Sequence, residues 1–402
     1  MCTGAYFDAC RSQSASRAEN GSDCAVAAGE IGRRMRTTVL LVVAACRADM
    51  LRRLLPGLRR ASTATAARPR CVLLNAARLD FDDKIDFAKL EEIADVERFD
   101  KTDPEDVAER CRDAQIVVNK EMPLTAETIA ALPDSVKLLC EAGTGYNNID
   151  LAACRAKGLA VSNVPTYATD AMAHMAITLV MACSCSLWQQ ACAFGRKDHR
   201  YLEQCHPGAL THVELTGKTL GLVGGLGTIG TRVAAIAAAL GMNVVASSSR
   251  MAAIGAQGDM EVVSLDALLE RSDFVSIHCP LNANTKGLIG RVELGKMKSN
   301  AYLINTARGA IVDQAALVEA LSEKTIAGAA LDVFGEGSAP PPALPAGHAL
   351  YALDNVVLTP HIGWQRLESR QRVVDMVAEN CVRFLEDGSS NIDLGTGLPR
   401  KP

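Results

Sequence analysis

Short apolar runs alternate with amphipathic stretches along most of the chain, starting at about residue 69. Runs of three to six residues, such as Cys71–Asn75, predict strands, and stretches with apolar residues every three or four positions predict helices. The other predicted strands lie at residues 96–99, 115–118, 136–140, 160–163, 219–224, 242–246, 261–263, 274–278, 301–305, 328–332 and 356–358. This alternation is typical of an α/β protein in which helices cover both faces of parallel sheets.

The predicted helices fill the intervals between those strands. They are expected at residues 87–94, 104–111, 125–131, 151–157, 171–190 and from the glycine-rich segment to about 240, with a last amphipathic helix at 368–385 that ends at Gly388. The helix at 171–190 is apolar on most of its faces. Such a helix fits either the core or an interface with a second subunit, and the sequence is compatible with both.

The first 68 residues differ in composition and are expected to form an N-terminal extension outside the fold. Ten arginines and a single acidic residue, Asp49, lie between residues 32 and 71. A basic, amphipathic, hydroxyl-rich and acid-poor segment is typical of a transit peptide, which predicts a mitochondrion or plastid. Two alternatives stay open: Thr38–Cys46 as the apolar core of a signal peptide, and a disordered tail on a cytoplasmic protein.

Composition narrows the function classes. Of the 402 residues, 49% are hydrophobic and 22% are charged, and the formal net charge is −4. These values are ordinary for a globular protein, and nothing in them points to nucleic acid or an anionic membrane as a partner. The 14 cysteines are scattered without a C-x-x-C pair, so we expect reduced thiols and no metal site.

The segment from residue 218 to 250 has the layout of one nucleotide-binding βαβ unit. A short apolar strand is followed by Gly225, Gly227 and Gly230 in the spacing G-x-G-x-x-G, then by an alanine-rich helix and a second apolar strand. Glycines at this spacing permit a tight turn, close approach of the backbone to a pyrophosphate and close contact between helix and sheet. The first helical turn then offers free N–H groups to the phosphates.

The end of the second strand of this unit indicates which dinucleotide binds. An NAD site usually has Asp or Glu there, about twenty residues past the glycines, to bind the ribose 2′-hydroxyl. This chain has Ser247, Ser248, Ser249 and Arg250 instead. Hydroxyl groups and a guanidinium suit a 2′-phosphate, so the sequence predicts that NADP is preferred over NAD. The alternative is that Arg250 is a solvated loop residue.

Three polar residues follow the ends of predicted strands, where ligands bind in open parallel sheets. They are Arg308, Asp332 and His361. A 2-oxo-acid reductase needs a cation for the substrate carboxylate and an acid that protonates the carbonyl oxygen as hydride arrives. Arginine suits the first role through bidentate binding, and histidine suits the second because its pKa lies near working pH.

Six motifs in a fixed order resemble the D-isomer-specific 2-hydroxy-acid dehydrogenase family from about residue 69 to residue 388. They are GTGYNNIDLAA (143–153), GLGTIG (225–230), HCPLNANTKGLI (278–289), NTARGAIVD (305–313), ALDVF (330–334) and TPHIG (359–363). The resemblance implies two doubly wound parallel-sheet domains. A Rossmann cofactor domain, residues 166–363, would be inserted into a discontinuous flavodoxin-like substrate domain, residues 69–165 and 364–402. The family also implies a homodimer.

The resemblance assigns roles to individual residues. Arg308 matches the substrate-binding arginine and His361 the general acid/base, while Asp332 matches an acid on the nicotinamide side. The backbone cradle for the substrate carboxylate matches Gly143, Thr144 and Gly145. The residues that match the family's cofactor site are Gly225, Gly227, Thr228, Ile229, Gly230, Ser248, Ser249, Arg250, His278, Pro280, Thr285, Thr306, Ala307, Asp332 and Gly363.

Two departures from the family pattern bear on catalysis. The family's carboxylate partner of the histidine falls three residues after the phenylalanine of DVF, which is Gly337 here. Glu336 lies one residue earlier, so either the loop shifts to bring Glu336 to His361 or the partner is missing. If Glu336 takes this catalytic role, Glu336→Gln should lower kcat for reduction by at least about tenfold. The second departure is the doubled Gly224-Gly225, which lengthens the turn by one residue.

The motif GTGYNNID followed by NVPTYATD most resembles the glycerate dehydrogenase/hydroxypyruvate reductase branch. This favours hydroxypyruvate, glyoxylate or another small 2-oxo acid as the substrate, reduced with NAD(P)H to the D-2-hydroxy acid. D-3-phosphoglycerate is the alternative substrate. An alternative from another class is a dinucleotide-sensing, corepressor-like protein without turnover, since the family includes corepressors and fold does not fix function.

Overall fold

Two parallel β-sheets organise the chain, for which the computed structural model describes residues 68–196, 210–248, 260–335 and 344–399. The strands of the first sheet are β1 (Arg70–Leu74), β2 (Asp95–Phe99), β3 (Ile116–Asn119), β4 (Leu138–Glu141) and β5 (Ala160–Ser162). They lie in the order β2-β1-β3-β4-β5, and every neighbouring pair is parallel. This is the strand order of flavodoxin-like sheets.

The second sheet has seven strands, which are β6 (Thr219–Val223), β7 (Asn243–Ser247), β8 (Glu261–Val262), β9 (Phe274–Ile277), β10 (Tyr302–Asn305), β11 (Gly328–Leu331) and β12 (Val356–Leu358). Their order is β12-β11-β10-β9-β6-β7-β8, again parallel throughout. This is the Rossmann order with one further strand, and the order reverses between β6 and β9, which places a ligand crevice at their carboxyl ends. The two sheets confirm the predicted α/β fold class.

The central strands are buried along their whole length because both faces of each sheet are covered. All residues of β3, β4, β9, β10 and β11 are buried. The covering helices are α1 (Ala88–Glu91), α2 (Val107–Arg110), α3 (Ala126–Ala131), α4 (Leu151–Lys157), α5 (Thr169–Ser184), α6 (Leu187–Gly195), α7 (Thr228–Ala239), α8 (Leu265–Arg271), α9 (Arg291–Lys296), α10 (Gln314–Ser322), α11 (Ala349–Ala352) and α12 (Leu367–Asp387). The helix predicted at 87–94 is therefore a single turn, and the one predicted at 104–111 begins as a 3-10 turn, Pro104–Asp106.

The single helix predicted at 171–190 is wrong, because the chain bends by 67° between α5 and α6. The break falls at Ser186, whose φ of 48° is left-handed and cannot continue a helix. Its buried Oγ donates a hydrogen bond of 2.8 Å to the carbonyl oxygen of Thr211, which holds the bend. Of the helices in the described residues, none alone has the length and apolar character to cross a membrane, although α5 and α6 taken together would pass on those two criteria.

The two ends of the described chain share one core. On α12, Val373, Val377 and Cys381 pack in the same apolar cluster as Cys71 and Leu73 of β1. The helix ends at the predicted Gly388, and a small antiparallel hairpin follows, formed by β13 (Ile392–Asp393) and β14 (Leu398–Pro399). The domain limits given above remain a prediction.

Candidate active site

The turn between β6 and α7 is packed so closely that only glycine fits. A Cβ atom on Gly225 would lie 2.6 Å from the Cβ of Leu222 and 2.9 Å from the Cβ of Ala246. A Cβ atom on Gly230 would lie 2.5–2.7 Å from the backbone of Gly225. The first and third glycines of the motif therefore hold the helix against the strand, as the sequence predicts.

The other two glycines of the turn differ, since Gly224 is packed closely whereas Gly227 is open. Gly224 has a φ of 82°, and a side chain there would meet the backbone nitrogen of Cys279 at 2.6 Å, so the extra residue is accommodated by a left-handed conformation. Gly227 is exposed and precedes the first turn of α7, where the N–H groups of Thr228 and Ile229 have no acceptor within the helix. Open backbone and free donors at a helix N-terminus fit the pyrophosphate of a dinucleotide.

The loop after β9 lies beside this turn. The backbone N–H of His278 donates to the carbonyl oxygen of Val223 over 2.7 Å, and Nε2 lies 2.9 Å from Oγ of Ser276. Burial lowers the pKa of His278 to about 4, so its ring is neutral at physiological pH. Further along, Oγ1 of Thr285 donates to the carbonyl oxygen of Pro280 over 2.6 Å. The three predicted cofactor-site residues of this loop therefore belong to one ordered segment next to the glycines.

The residues predicted to select the dinucleotide are only partly described. Ser247 and Ser248 are half-buried at the end of β7. Ser249, Arg250 and the candidate catalytic Glu336 lie outside the described residues.

Arg308 extends from the loop after β10 toward the other sheet. The side chain of Asn305 shapes this loop, since its Nδ2 donates to the carbonyl oxygen of Arg308 over 2.9 Å and its Oδ1 accepts the N–H of Ala307 over 3.0 Å. The guanidinium of Arg308 donates to Oδ1 of Asn147 over 3.3 Å, and a Cβ atom on Gly145 would collide with it. The structure thus brings the predicted substrate arginine against the predicted substrate loop.

The substrate loop itself is fixed from the side of β5. Oγ1 of Thr144 donates to the carbonyl oxygens of Val164 and Pro165 over 3.0 and 3.2 Å. Nδ2 of Asn163 donates to the carbonyl oxygen of Thr144 over 2.7 Å, and the N–H of Val164 donates to that of Gly143 over 3.0 Å. These bonds occupy the side chain of Thr144, which leaves backbone as the part of the loop that can cradle an anion.

His361 is held by Asp332. The carboxylate of Asp332 accepts hydrogen bonds from Oγ1 of Thr359 at 2.6 Å, from the N–H of Ile362 at 3.1 Å and from the N–H of Gly363 at 3.0 Å. The N–H of His361 donates to the carbonyl oxygen of Asp332 over 2.9 Å, and His361 has a left-handed φ of 56°. Asp332 therefore shapes the loop that presents the imidazole, and the buried Thr306 begins the neighbouring loop after β10.

A charged cluster that the sequence analysis missed lies after β3. Lys120, only 1% exposed, donates from Nζ to the carbonyl oxygen of Ala142 over 3.0 Å and lies 3.2 Å from Oε1 of Glu121. The same Nζ lies 3.7 Å from the ring centroid of Trp364, in the segment that carries His361. Arg78 donates to Oε2 of Glu121 over 2.6 and 3.1 Å. The signal was present, because Lys120 and Glu121 follow a strand end just as Arg308 and His361 do.

The buried charges shift one another's pKa values. Burial lowers the pKa of His361 to about 4, against the opposing charge of Glu121. Burial alone would raise the pKa of Glu121, but Lys120, His361 and Arg78 bring it down to about 2. Burial raises the pKa of Glu141, a neighbour of this cluster, to about 7. The free protein therefore holds His361 neutral and Glu121 ionised at neutral pH.

No group of three or more His, Cys, Asp or Glu side chains suited to a metal ion occurs within the described residues. All nine cysteines that fall in those ranges are free thiols.

Comparisons with known proteins agree with the geometry of the site. Residues 184–363 match the family model of the D-isomer specific 2-hydroxyacid dehydrogenase, NAD binding domain. A glycerate dehydrogenase of Methylorubrum extorquens is 35% identical over 291 residues, which cover 72% of this chain and 88% of the relative. A glyoxylate reductase of Korarchaeum cryptofilum is 38% identical over 280 residues, 69% of this chain and 82% of the relative. The crystal structure of an NADPH-dependent glyoxylate/hydroxypyruvate reductase from Sinorhizobium meliloti, in complex with NADP and malonate, has a TM-score of 0.68 at 27% identity, covering 84% of this chain and all of that one.

Proposed function

Since the chain belongs to the D-isomer specific 2-hydroxyacid dehydrogenases, we propose that it reduces hydroxypyruvate, glyoxylate or a similarly small 2-oxo acid to the D-2-hydroxy acid. The observation that carries the proposal is the meeting of Arg308, the loop at Gly145 and the buried His361. Arg308 contacts the substrate loop and is near enough for its charge to act on the imidazole. The substrate's carboxylate and carbonyl oxygen can thus be bound beside the proton donor His361.

Each residue has a distinct task in this reaction. The guanidinium of Arg308 binds the substrate carboxylate and the carbonyl oxygen, and backbone N–H groups of residues 143–145 complete the anion cradle. The reduced nicotinamide dinucleotide, when bound, supplies the hydride that adds to the carbonyl carbon. His361, which is neutral in the free protein, takes up a proton from solvent, and the anionic substrate beside it favours this protonated form. It then gives the proton to the carbonyl oxygen, which becomes the hydroxyl of the product. The proton is needed because negative charge builds on the carbonyl oxygen as the hydride arrives.

A scan of 2-oxo acids by loss of absorbance of the reduced cofactor tests the function. We expect hydroxypyruvate and glyoxylate to be reduced with higher kcat/KM than 3-phosphohydroxypyruvate. The reverse ranking would favour a phosphoglycerate dehydrogenase. No turnover of any acid, together with tight cofactor binding, would favour a dinucleotide-sensing protein and would contradict the proposal.

We also propose that NADP is preferred over NAD. The segment 247–250 has no carboxylate to bind the ribose 2′-hydroxyl and offers three hydroxyls and the guanidinium of Arg250. We expect a higher kcat/KM with NADPH than with NADH, and we expect Arg250→Ala to reduce that ratio by about tenfold, the value of one charge-assisted hydrogen bond. Arg271→Ala, which removes an exposed arginine of α8, is the control. An equal or better kcat/KM with NADH for the wild type would contradict the preference.

The homodimer and the cellular location follow as further proposals. Leu187, Trp188 and Phe194 of α6 and Met181 of α5 are large apolar side chains on the surface, which suits burial against a second subunit. Light scattering on the purified protein should give twice the mass of the chain, and the monomer mass would reject the dimer. The basic segment before residue 69 leads us to propose import into a mitochondrion or plastid, which a fluorescent fusion of that segment tests.

A further inference from the structure

His361 has a ring nitrogen that still needs a partner. Its Nδ1 is buried and makes no hydrogen bond with any residue that the structure describes. A histidine that donates a proton works best beside a carboxylate, which orients the ring and stabilises its protonated form. Where the family pattern has that carboxylate this chain has Gly337.

Asp332 cannot fill this position with its side chain. Both of its carboxylate oxygens are already engaged by donors of the loop that carries His361. These bonds hold the loop, and turning the carboxylate toward the ring would break the hydrogen bond to Ile362 and leave the buried N–H of Gly363 without an acceptor. The side chain of Asp332 is therefore committed to the backbone of the loop.

Glu121 is a second buried carboxylate whose charge reaches His361, and it comes from the other sheet. It is 8% exposed, has a left-handed φ of 61° and lies two residues after the end of β3. Arg78 binds its Oε2 through two nitrogens, and its N–H donates to Oε1 of Glu141 over 3.1 Å. A bidentate arginine and a fixed backbone hold this carboxylate in one orientation and keep it ionised.

Lys120 ties this carboxylate to the histidine loop. Its Nζ lies between Oε1 of Glu121, at 3.2 Å, and the ring of Trp364, at 3.7 Å from the centroid. Trp364 is three residues after His361 and is itself 2% exposed. Of all the charges that act on His361, that of Glu121 has the largest effect, and it favours the protonated ring.

We infer that Glu121, which the first sheet supplies, is the positioning carboxylate of His361 in place of the family's residue at Gly337, and that it acts on the ring through its charge and not through a hydrogen bond to Nδ1. The inference rests on the proposed reductase function and deepens it. Among the residues that the structure describes, Glu121 and Asp332 favour a protonated imidazole through their charges, whereas Arg308 and Lys120 oppose it. Glu121 touches neither substrate nor cofactor in this role. It acts by keeping His361 able to carry the proton that the carbonyl oxygen receives.

Glu121→Gln tests the inference because it keeps the side-chain shape and removes the charge. Reduction needs protonated His361, so kcat/KM is high below the pKa of the ring and falls as pH rises through it. Without the negative charge that pKa drops, and we expect the descending limb of the profile to move by about one unit to lower pH. At a pH above the limb, the variant should then be roughly tenfold slower than the wild type. Below the limb, kcat/KM of the variant and of the wild type should differ much less. A merely structural role of Glu121 would lower kcat/KM at every pH.

Matched variants isolate the charge. Glu121→Asp retains the carboxylate and should keep the limb near its wild-type position. Glu97→Gln removes another arginine-bound carboxylate, on edge strand β2, and should leave the profile unchanged. If Glu121→Gln does not fold because Arg78 is left unpaired, the double variant Arg78→Gln with Glu121→Gln removes both charges and should show the same shift. An unmoved limb in Glu121→Gln and in the double variant, or a limb that moves with Glu336→Gln instead, would overturn the inference.

A titration that needs no turnover separates this inference from the proposed function. The imidazole C2 proton of His361 is assigned by its loss in His361→Asn and followed by NMR from pH 7 downward in the full chain. The ring should become protonated at lower pH in Glu121→Gln than in the wild type. Identical titrations would reject the role of Glu121, whereas a wild type that reduces no 2-oxo acid would reject only the proposed function.

Discussion

The cofactor side and the substrate side of the site are built from different materials. On the cofactor side, the turn that fits the pyrophosphate is formed by glycine packing and the N–H groups at the start of α7, without an ionised side chain. On the substrate side, the half-buried Arg308 and the buried Lys120, Glu121 and His361 are ionisable groups that lie close enough to act on one another. A backbone site keeps its shape as pH changes, whereas each buried ion alters the pKa of the others. We therefore expect dinucleotide binding to respond to shape, and proton donation to respond to charge.

The largest effect is expected from removing the charge of Arg308, which extends from the second sheet to the substrate loop. Arg308→Met should lower kcat/KM for the 2-oxo acid by about a thousandfold, since it removes two charge-assisted hydrogen bonds to the substrate. Dissociation of the dinucleotide, measured by quenching of its fluorescence, should change by less than about threefold. Steady-state kinetics and the binding titration together check the prediction.

Two further substitutions sharpen this result. Arg308→Lys keeps the charge but loses the planar fork, so most of the loss should remain. Arg271→Met breaks an exposed ion pair between Arg271 of α8 and Glu261 of β8, and it should leave kcat/KM unchanged. Equal kcat/KM for Arg308→Met and the wild type would show that Arg308 does not bind the substrate.

On the cofactor side, a change of shape without any change of charge should abolish tight dinucleotide binding. Gly230→Val places a branched side chain where a Cβ atom already comes within 2.5–2.7 Å of the backbone of Gly225. Because the helix must then move away from the turn, we expect dinucleotide affinity to fall by at least about a hundredfold. Gly295→Ala in α9, where a Cβ atom meets nothing within 4 Å, is the control and should bind normally. Retained affinity in Gly230→Val would show that the turn does not form the cofactor site.

The same contrast explains which parts of the site could be predicted from the sequence. The glycine spacing, Arg308 and His361 are local signals, because each is fixed by the strand that precedes it. Pairing across the molecule is not local: Arg308 reaches Asn147, and Lys120 reaches the ring of Trp364, over long separations in sequence. The bend at Ser186 was missed for the same reason, since a hydrogen bond to Thr211 holds it while the apolar pattern continues unbroken.

The smallest effect concerns stability and tests the charged cluster without any ligand. Burial raises the pKa of Glu141 from 4.5 to about 7, so the folded protein holds a proton that the unfolded chain releases. Its contribution to the free energy of unfolding is full below pH 4.5 and is lost as pH rises to about 7. The side chain of Glu141→Gln does not titrate. The free energy of unfolding of this variant, relative to that of the wild type, should therefore rise by on the order of 1–2 kcal/mol between pH 5 and pH 8. Urea unfolding at both pH values measures this, and a difference that does not change with pH would reject a neutral, buried Glu141.

The most direct test of the account is the oxidation of separate D- and L-glycerate with NADP by the wild type and by His361→Asn. The account predicts turnover of the D-isomer only, and a loss of roughly a hundredfold or more in kcat when the proton-carrying imidazole is removed. Preference for the L-isomer, or the same rate in His361→Asn as in the wild type, would contradict it.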